Sequence, residues 1–215
     1  PYDNDKSKYS SFDVGEYKDT LIGNYLEAMH YTDEAMGEFV EELQKKGMLE
    51  NTVIAVYGDH HGIPRDNKAD LEKFLGGREL SSAEWLQLQK VPMIISIPGL
   101  EQGMQVSTVG GGLDFMPTML NIMGIDSSNM ASLGRDLLNT EKGFVVLRNG
   151  SFVSDDKIYI SNENSCYDIK TGAELTAGEY MAQKSQADKL LEYSDAIVNY
   201  DLAKKIREYL EGSKP

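Results

Sequence analysis

The chain has 215 residues, 35 acidic side chains against 21 lysines and arginines, and a formal charge of −14. At 40% hydrophobic and 26% charged it has an ordinary globular composition, long enough to bury a core as one large domain or a domain with a small appendage. The acidic excess excludes a nucleic-acid partner, which needs clustered Lys and Arg. It also repels phosphate-bearing substrates unless a cation in the site inverts the local field.

No apolar run approaches the ~18 residues that a membrane-spanning helix needs, and no charged-then-apolar leader opens the sequence. The chain begins Pro1-Tyr2, as a processed protein or a piece of a longer one would. A single cysteine, Cys166, rules out an internal disulfide and a Cys-rich zinc module. Its setting, Asn164-Ser-Cys-Tyr-Asp168, offers no basic neighbour to activate the thiol, so a structural role is expected.

In chain order, residues 1–14 are polar and read as a loop. From Glu16 to Lys46 the residues Leu21, Tyr25, Met29, Thr32, Met36, Phe39 and Leu43 step by three or four, forming the apolar stripe of one long helix that Gly47 stops. His30 lies beside that stripe and is expected at or near the surface. Val53–Tyr57 then reads as a strand buried on both faces, of the kind found inside a parallel sheet. Ala69–Leu75 and Ser81–Leu88 read as short helices, the first stopped by Gly76-Gly77 and the second with Ser82 as its cap. Val91–Ile97 is a second strand, with Pro92 at its start where a missing donor is tolerated.

Gly110-Gly-Gly112 leads into a helix that ends at Gly124. No Lys-Ser/Thr follows the glycines, so they serve flexibility or close packing, not a phosphate cradle, and Asp114 is expected to cap that helix. Beyond Leu138 come short strands around 144–147, 151–153, 157–160 and 166–169. Asn149-Gly150 marks a hairpin, and a final helix over Ala182–Glu211 packs back on the small antiparallel sheet.

The chemistry concentrates in Gly58-Asp-His-His-Gly62. In open α/β sheets ligands gather beyond the carboxyl ends of strands, where Asp59 and His60 emerge. A carboxylate with an imidazole suits Zn²⁺ or Mn²⁺. The same residues also fit a tight turn in which Asp59 caps local N–H groups and the histidines are solvated.

The long helix, then Asn51-Thr-Val-Ile-Ala-Val-Tyr-Gly-Asp-His-His-Gly62, a proline-flanked strand, Leu113-Asp-Phe-Met-Pro-Thr-Met-Leu-Asn-Ile-Met-Gly124 and Arg148-Asn-Gly-Ser-Phe152 together resemble the alkaline phosphatase/sulfatase superfamily. Within it the chain looks most like the lipoteichoic acid synthase group of phosphoglycerol transferases. The resemblance covers nearly the whole chain but only the C-terminal part of the family's extracellular catalytic domain. It implies an α/β fold: part of a sulfatase-like sheet with flanking helices over 1–140, then a small antiparallel sheet and a C-terminal helix over 141–215.

It further implies one Mn²⁺ ion held by Asp59, His60 and an upstream Glu and Thr, that Thr being the nucleophile. No catalytic nucleophile is therefore expected in this chain, and the chain alone is expected to bind metal weakly and turn nothing over. His61 and Arg65 are the candidates for contacts to the substrate phosphate. Pro1-Tyr2 resembles the tail of the family's Asn-His-Phe-Pro-Tyr substrate-binding segment. The chain departs from the group's pattern at His61, often a Tyr, and at Pro64, where a hydroxyl residue can occur.

For the whole enzyme the resemblance implies a phosphatidylglycerol headgroup as donor and a polyglycerol phosphate acceptor. It also implies a bacterial cell-membrane location, with anchoring through upstream segments. A phosphodiesterase or sulfatase of the same superfamily, or a non-catalytic cell-envelope binding domain, are the alternatives.

Overall fold

The computed structural model describes residues 12–127, 130 and 132–212, with backbone alone at Leu210 and Glu211. The polar segment 1–11, including the Pro1-Tyr2 resemblance, lies outside the described residues. The chain forms two compact units, one ending at Gly103 and the other beginning at Met104.

The first unit opens with a 3₁₀ turn, Gly15–Tyr17, and helix α1, Leu21–Lys45. The expected single helix from Glu16 is interrupted because Asp19 adopts a positive φ of 62°. Thr20 then caps α1, its hydroxyl accepting from the Gly23 N–H at 3.0 Å. Gly47, at φ +66°, ends the helix, with Gly47 N–H bonded to Gln44 O and Met48 N–H to Leu43 O.

Of the stripe read from the sequence only Leu43 is buried: Tyr25, Met29 and Phe39 are exposed, and at the other end it is Ile22, beside the stripe, that is buried. Ile22 packs with Ile63, Leu80 and Trp85 to form the core of this unit. Helices α2 (Lys68–Phe74) and α3 (Ser82–Gln87) supply the other wall. Gly76 and Gly77 stop α2, both at positive φ. The α3 cap is Ser81, one residue earlier than expected: its hydroxyl accepts from Glu84 N–H, and the Glu84 carboxylate accepts from the Ser81 N–H.

Strands β1 (Ile54–Tyr57) and β2 (Met93–Ser96) form a two-stranded sheet, paired Ile54 to Ser96 through Tyr57 to Met93. Here the sequence reading needs correction. The pair is antiparallel, and β1 is not buried on both faces: Ile54, Ala55 and Val56 are half-buried and Tyr57 is 52% exposed. A ribbon of two strands leaves each strand an open edge, and it cannot cover both of its own faces.

In the second unit, α4 (Gly112–Ile122) follows the three glycines. A Cβ on Gly110 would lie 2.6 Å from the Leu137 side chain, and one on Gly111 would lie 2.5 Å from Val145. Close packing therefore accounts for both glycines. Asp114 caps the helix as expected: buried, it accepts from the Gly111 N–H at 2.9 Å and from the Arg135 N–H at 2.7 Å.

Five strands then run as an antiparallel meander: β3 (Phe144–Val146), β4 (Phe152–Ser154), β5 (Lys157–Ile160), β6 (Ser165–Asp168) and β7 (Glu174–Leu175). The two-residue β7 escaped the sequence reading because it is too short to show alternation. Gly150 makes the expected Asn-Gly turn at φ +86°. The register sets Phe152 opposite Tyr159, Tyr159 opposite Cys166 and Cys166 opposite Leu175. One face is therefore a continuous row, with Phe152 and Tyr159 stacked at 5.2 Å.

Helix α5 (Ala177–Asn199) covers this row with Tyr180, Ala187 and Leu190. Cys166 lies inside this core, and burial pushes its thiol up to about 11, the structural role read from its neighbours. The single final helix expected over Ala182–Glu211 is instead two, α5 and α6 (Leu202–Gly212), separated where Asp201 takes φ +47°.

Candidate metal half-site

The turn after β1 is held from both sides by close contacts. Gly58 N–H bonds Pro92 O at 3.1 Å, and a Cβ there would sit 2.7 Å from Val91 Cβ. Gly62 lies against the Tyr25 ring, where a Cβ would come within 2.4 Å. Ile63, directly after it, is buried in the core with Ile22, Leu80 and Trp85. Between these anchors the chain projects Asp59 and His60 into solvent, their side chains 85% and 75% exposed.

Within the pair the geometry is specific. His60 Nδ1 lies 2.8 Å from the His61 backbone oxygen. A carbonyl only accepts, so this bond places a proton on Nδ1, and in the neutral ring the lone pair is then on Nε2. His60 Nε2 is 3.6 Å from Asp59 Oδ1. Two donor atoms on one divalent ion at bond lengths of about 2.0–2.2 Å stand roughly 3 Å or slightly more apart, so small rotations would bring this pair onto a shared ion. The backbone carbonyl on the far ring nitrogen is the usual orienting partner of a metal-binding imidazole. Carboxylate and neutral imidazole fit a borderline divalent cation. Among the described residues, no group of three or more His, Cys, Asp or Glu is placed to hold a metal. Asp59 and His60 therefore make a pair, not a closed site.

His61 and Arg65 are both exposed, His61 beside the pair and Arg65 at the start of the Arg65–Asn67 3₁₀ turn. Among the described residues, neither the His61 nor the Arg65 side chain bonds to Asp59 or His60; His61 meets His60 through its backbone oxygen alone. His30 stacks on Phe12 at 4.5 Å and lies 3.5 Å from Glu34, away from any such role. Sequence reasoning missed Tyr25. With Leu21, Asn24, Ala28 and Gly62 it lines a shallow concavity next to the turn, and its place on the α1 stripe gave no sign of that contact.

A second, apolar groove runs between α1 and the two-stranded sheet, lined by Met36, Val40, Leu49, Ile54, Val56 and Ile94. No described helix is long and apolar enough to cross a membrane.

The sulfatase family model matches residues 1–125, more than half of the chain, and the chain belongs to that family. More specifically, it is 37% identical over 186 residues to the lipoteichoic acid synthase-like protein YvgJ of Bacillus subtilis, covering 85% of this chain and 30% of that protein. It is 35% identical to lipoteichoic acid synthase 2 of the same organism, over 90% of this chain and 30% of that one. The Staphylococcus aureus (strain USA300) lipoteichoic acid synthase is 35% identical, over 86% and 28% respectively.

Among solved structures, the lipoteichoic acid synthase LtaP from Listeria monocytogenes superposes with a TM-score of 0.78 at 30% identity. The match covers 90% of this chain and 50% of that one. The chain thus spans under a third of the length of these curated relatives.

Proposed function

We propose that this chain is the C-terminal part of a metal-dependent phosphoglycerol transferase, which moves glycerol phosphate from phosphatidylglycerol to a cell-envelope glycolipid or polymer acceptor. The observation that carries this reading is the His60 ring, tied through Nδ1 to the His61 carbonyl with Nε2 turned towards Asp59. Asp59 and His60 are two ligands of a single Mn²⁺. The remaining ligands and the nucleophilic Thr belong to sequence upstream of this chain.

The cation supplies Lewis-acid polarisation of the phosphoryl group and offsets the charge repulsion that a chain of −14 would exert on an anionic donor. Asp59 contributes the negative charge that retains the ion, and His60 the neutral nitrogen. Arg65 contributes a planar guanidinium fork, and His61 a ring donor, towards the phosphate oxygens. Transfer takes two displacements. The upstream Thr oxygen attacks phosphorus and diacylglycerol leaves, so that Thr carries glycerol phosphate; an acceptor hydroxyl then attacks that phosphorus, takes the glycerol phosphate and releases Thr.

In this reading residues 1–140 complete the catalytic domain and 141–215 form an appended sheet and helix. The enzyme works outside a bacterial cell membrane to which upstream segments anchor it. Isothermal calorimetry with Mn²⁺ on this chain, beside turnover of the longer protein on phosphatidylglycerol, tests the reading. The expected result is weak binding here, with turnover in the longer protein that Asp59→Ala or His60→Ala abolishes. Submillimolar one-to-one Mn²⁺ binding by this chain, or turnover of aryl sulfate in preference to phosphatidylglycerol, would overturn it.

A further inference from the structure

One side chain presses directly on the turn that carries Asp59 and His60, and the transfer chemistry gives it no part. Tyr25 lies in the second turn of α1, and its ring meets Gly62. Gly62 does not take a positive φ, so its backbone conformation is open to other residues. What excludes a side chain there is space. A Cβ would lie 2.4 Å from Tyr25 Cε2, 2.5 Å from Cζ and 2.6 Å from the hydroxyl oxygen, and these three nearest atoms all belong to Tyr25.

Both partners in this contact are held from behind. Ile22 and Leu26, which flank Tyr25 along α1, pack into the core that also buries Ile63, the residue after Gly62. The Tyr25 side chain itself stays outside that core, the residue being 37% exposed, so the contact adds little buried area. It acts as a stop, not as filling.

The stop bears on one particular peptide group. The carbonyl that accepts from His60 Nδ1 belongs to His61, and its carbon is bonded to the Gly62 nitrogen. The peptide bond is planar, so fixing Gly62 limits where the His61 oxygen can point. Asp59 and His60 are solvated and have no packing of their own to hold them. Their arrangement therefore depends on the ends of the turn, Gly58 against Val91 at one side and Gly62 against Tyr25 at the other. We propose that Tyr25 is a positioning residue for the ligand pair: its ring fixes the His61–Gly62 peptide, and that peptide aims His60 Nε2 at Asp59. The proposal rests on the metal reading above for what the pair does, and on the packing alone for how the pair is held.

Imidazole NMR spectra of this chain at one fixed pH, without and with millimolar Mn²⁺, test it. The chain has three histidines; His60→Ala assigns its own signal, and His30 is the reference. Tyr25→Ala is expected to move the His60 and His61 signals and to weaken the Mn²⁺ broadening of His60 about tenfold. Tyr25→Phe keeps the ring and should match wild type. Gly62→Ala should disturb the same signals, because its methyl group meets the ring, but should add nothing once Tyr25→Ala has cleared the space. If Tyr25→Ala fails to fold by circular dichroism, Tyr25→Leu takes its place. A contact that serves stability alone would shift the unfolding midpoint and leave the Mn²⁺ broadening as it was.

Unchanged His60 signals in the folded Tyr25 variant overturn the proposal, and so does equal disturbance by Gly62→Ala with and without the ring. Absence of Mn²⁺ broadening in the wild-type chain would sink the metal reading instead, and the histidine signals would still decide whether Tyr25 holds the turn.

Discussion

The two sheets of this molecule solve the burial problem in opposite ways. The five-stranded sheet lays Phe152, Tyr159 and Cys166 in a row and closes α5 over them, so its large side chains are almost wholly removed from water. The two-stranded sheet has half-buried residues on β1 and an exposed Ile94 on β2, and its groove against α1 stays open. Asp59 and His60 follow directly on β1 of the open one. The closed sheet hides its large side chains, whereas the sparsely covered strand end presents charged ones.

The largest expected effect is a break in the closed unit. Phe152→Ala removes a fully buried ring that stacks on Tyr159, and should cost about 3–5 kcal/mol. In denaturant titration the transition of the second unit moves and that of the first stays in place. At Ile94, by contrast, truncation to alanine should change stability by less than about 1 kcal/mol, since most of that side chain is already in water. Equal losses at the two positions would erase the contrast between the sheets.

An intermediate effect belongs to the α3 cap. Ser81→Ala should cost about 1 kcal/mol by thermal or urea unfolding. The pH dependence follows from Glu84: hydrogen bonds from the Ser81 N–H and hydroxyl, and then from Arg78, hold its carboxyl at about 2 instead of near 4.5. Its folded value is the lower one, so its contribution is complete above about pH 4.5 and disappears as pH falls towards 2. Unfolding followed across that window should show this loss in the wild type and a weaker one in Ser81→Ala.

Cys166 offers a reading without mutation. Inside the core, with its thiol raised to about 11, it should stay unreactive to a thiol-specific disulfide reagent near pH 8 in the folded chain and react fully once urea opens the second unit. Reaction without unfolding would mean that the closed sheet opens readily. The smallest effect sharpens the comparison from the other side. Asp59→Ala and His60→Ala should shift stability by no more than about 0.5 kcal/mol, because both side chains are solvated and bear no packing.

Much of this was legible from local pattern. The Asn149-Gly150 hairpin, the Gly47 stop and the helix after three glycines each follow from residues whose backbone options are few. Asp59-His60 was legible as chemistry because the acid and imidazole are adjacent and follow a strand. Other features were not. Nothing local distinguishes a strand in a parallel interior from one in an antiparallel pair, since Val53–Tyr57 reads the same in both. The bend at Asp201 was invisible to a periodicity that resumes beyond it, and Tyr25 reached the turn only through the packing of Gly62.

By itself, then, the sequence determined which glycines stop helices and turn the β3–β4 hairpin, that a carboxylate and an imidazole stand side by side, and that Cys166 has no activating neighbour, because those properties rest on near neighbours. The tertiary structure decided the sense of the β1–β2 pairing and how much of each apolar run is covered. It also decided that His60 presents Nε2 to Asp59 by giving Nδ1 to the His61 carbonyl. Those outcomes depend on which groups meet in space, and the spacing of residues along a chain does not specify that.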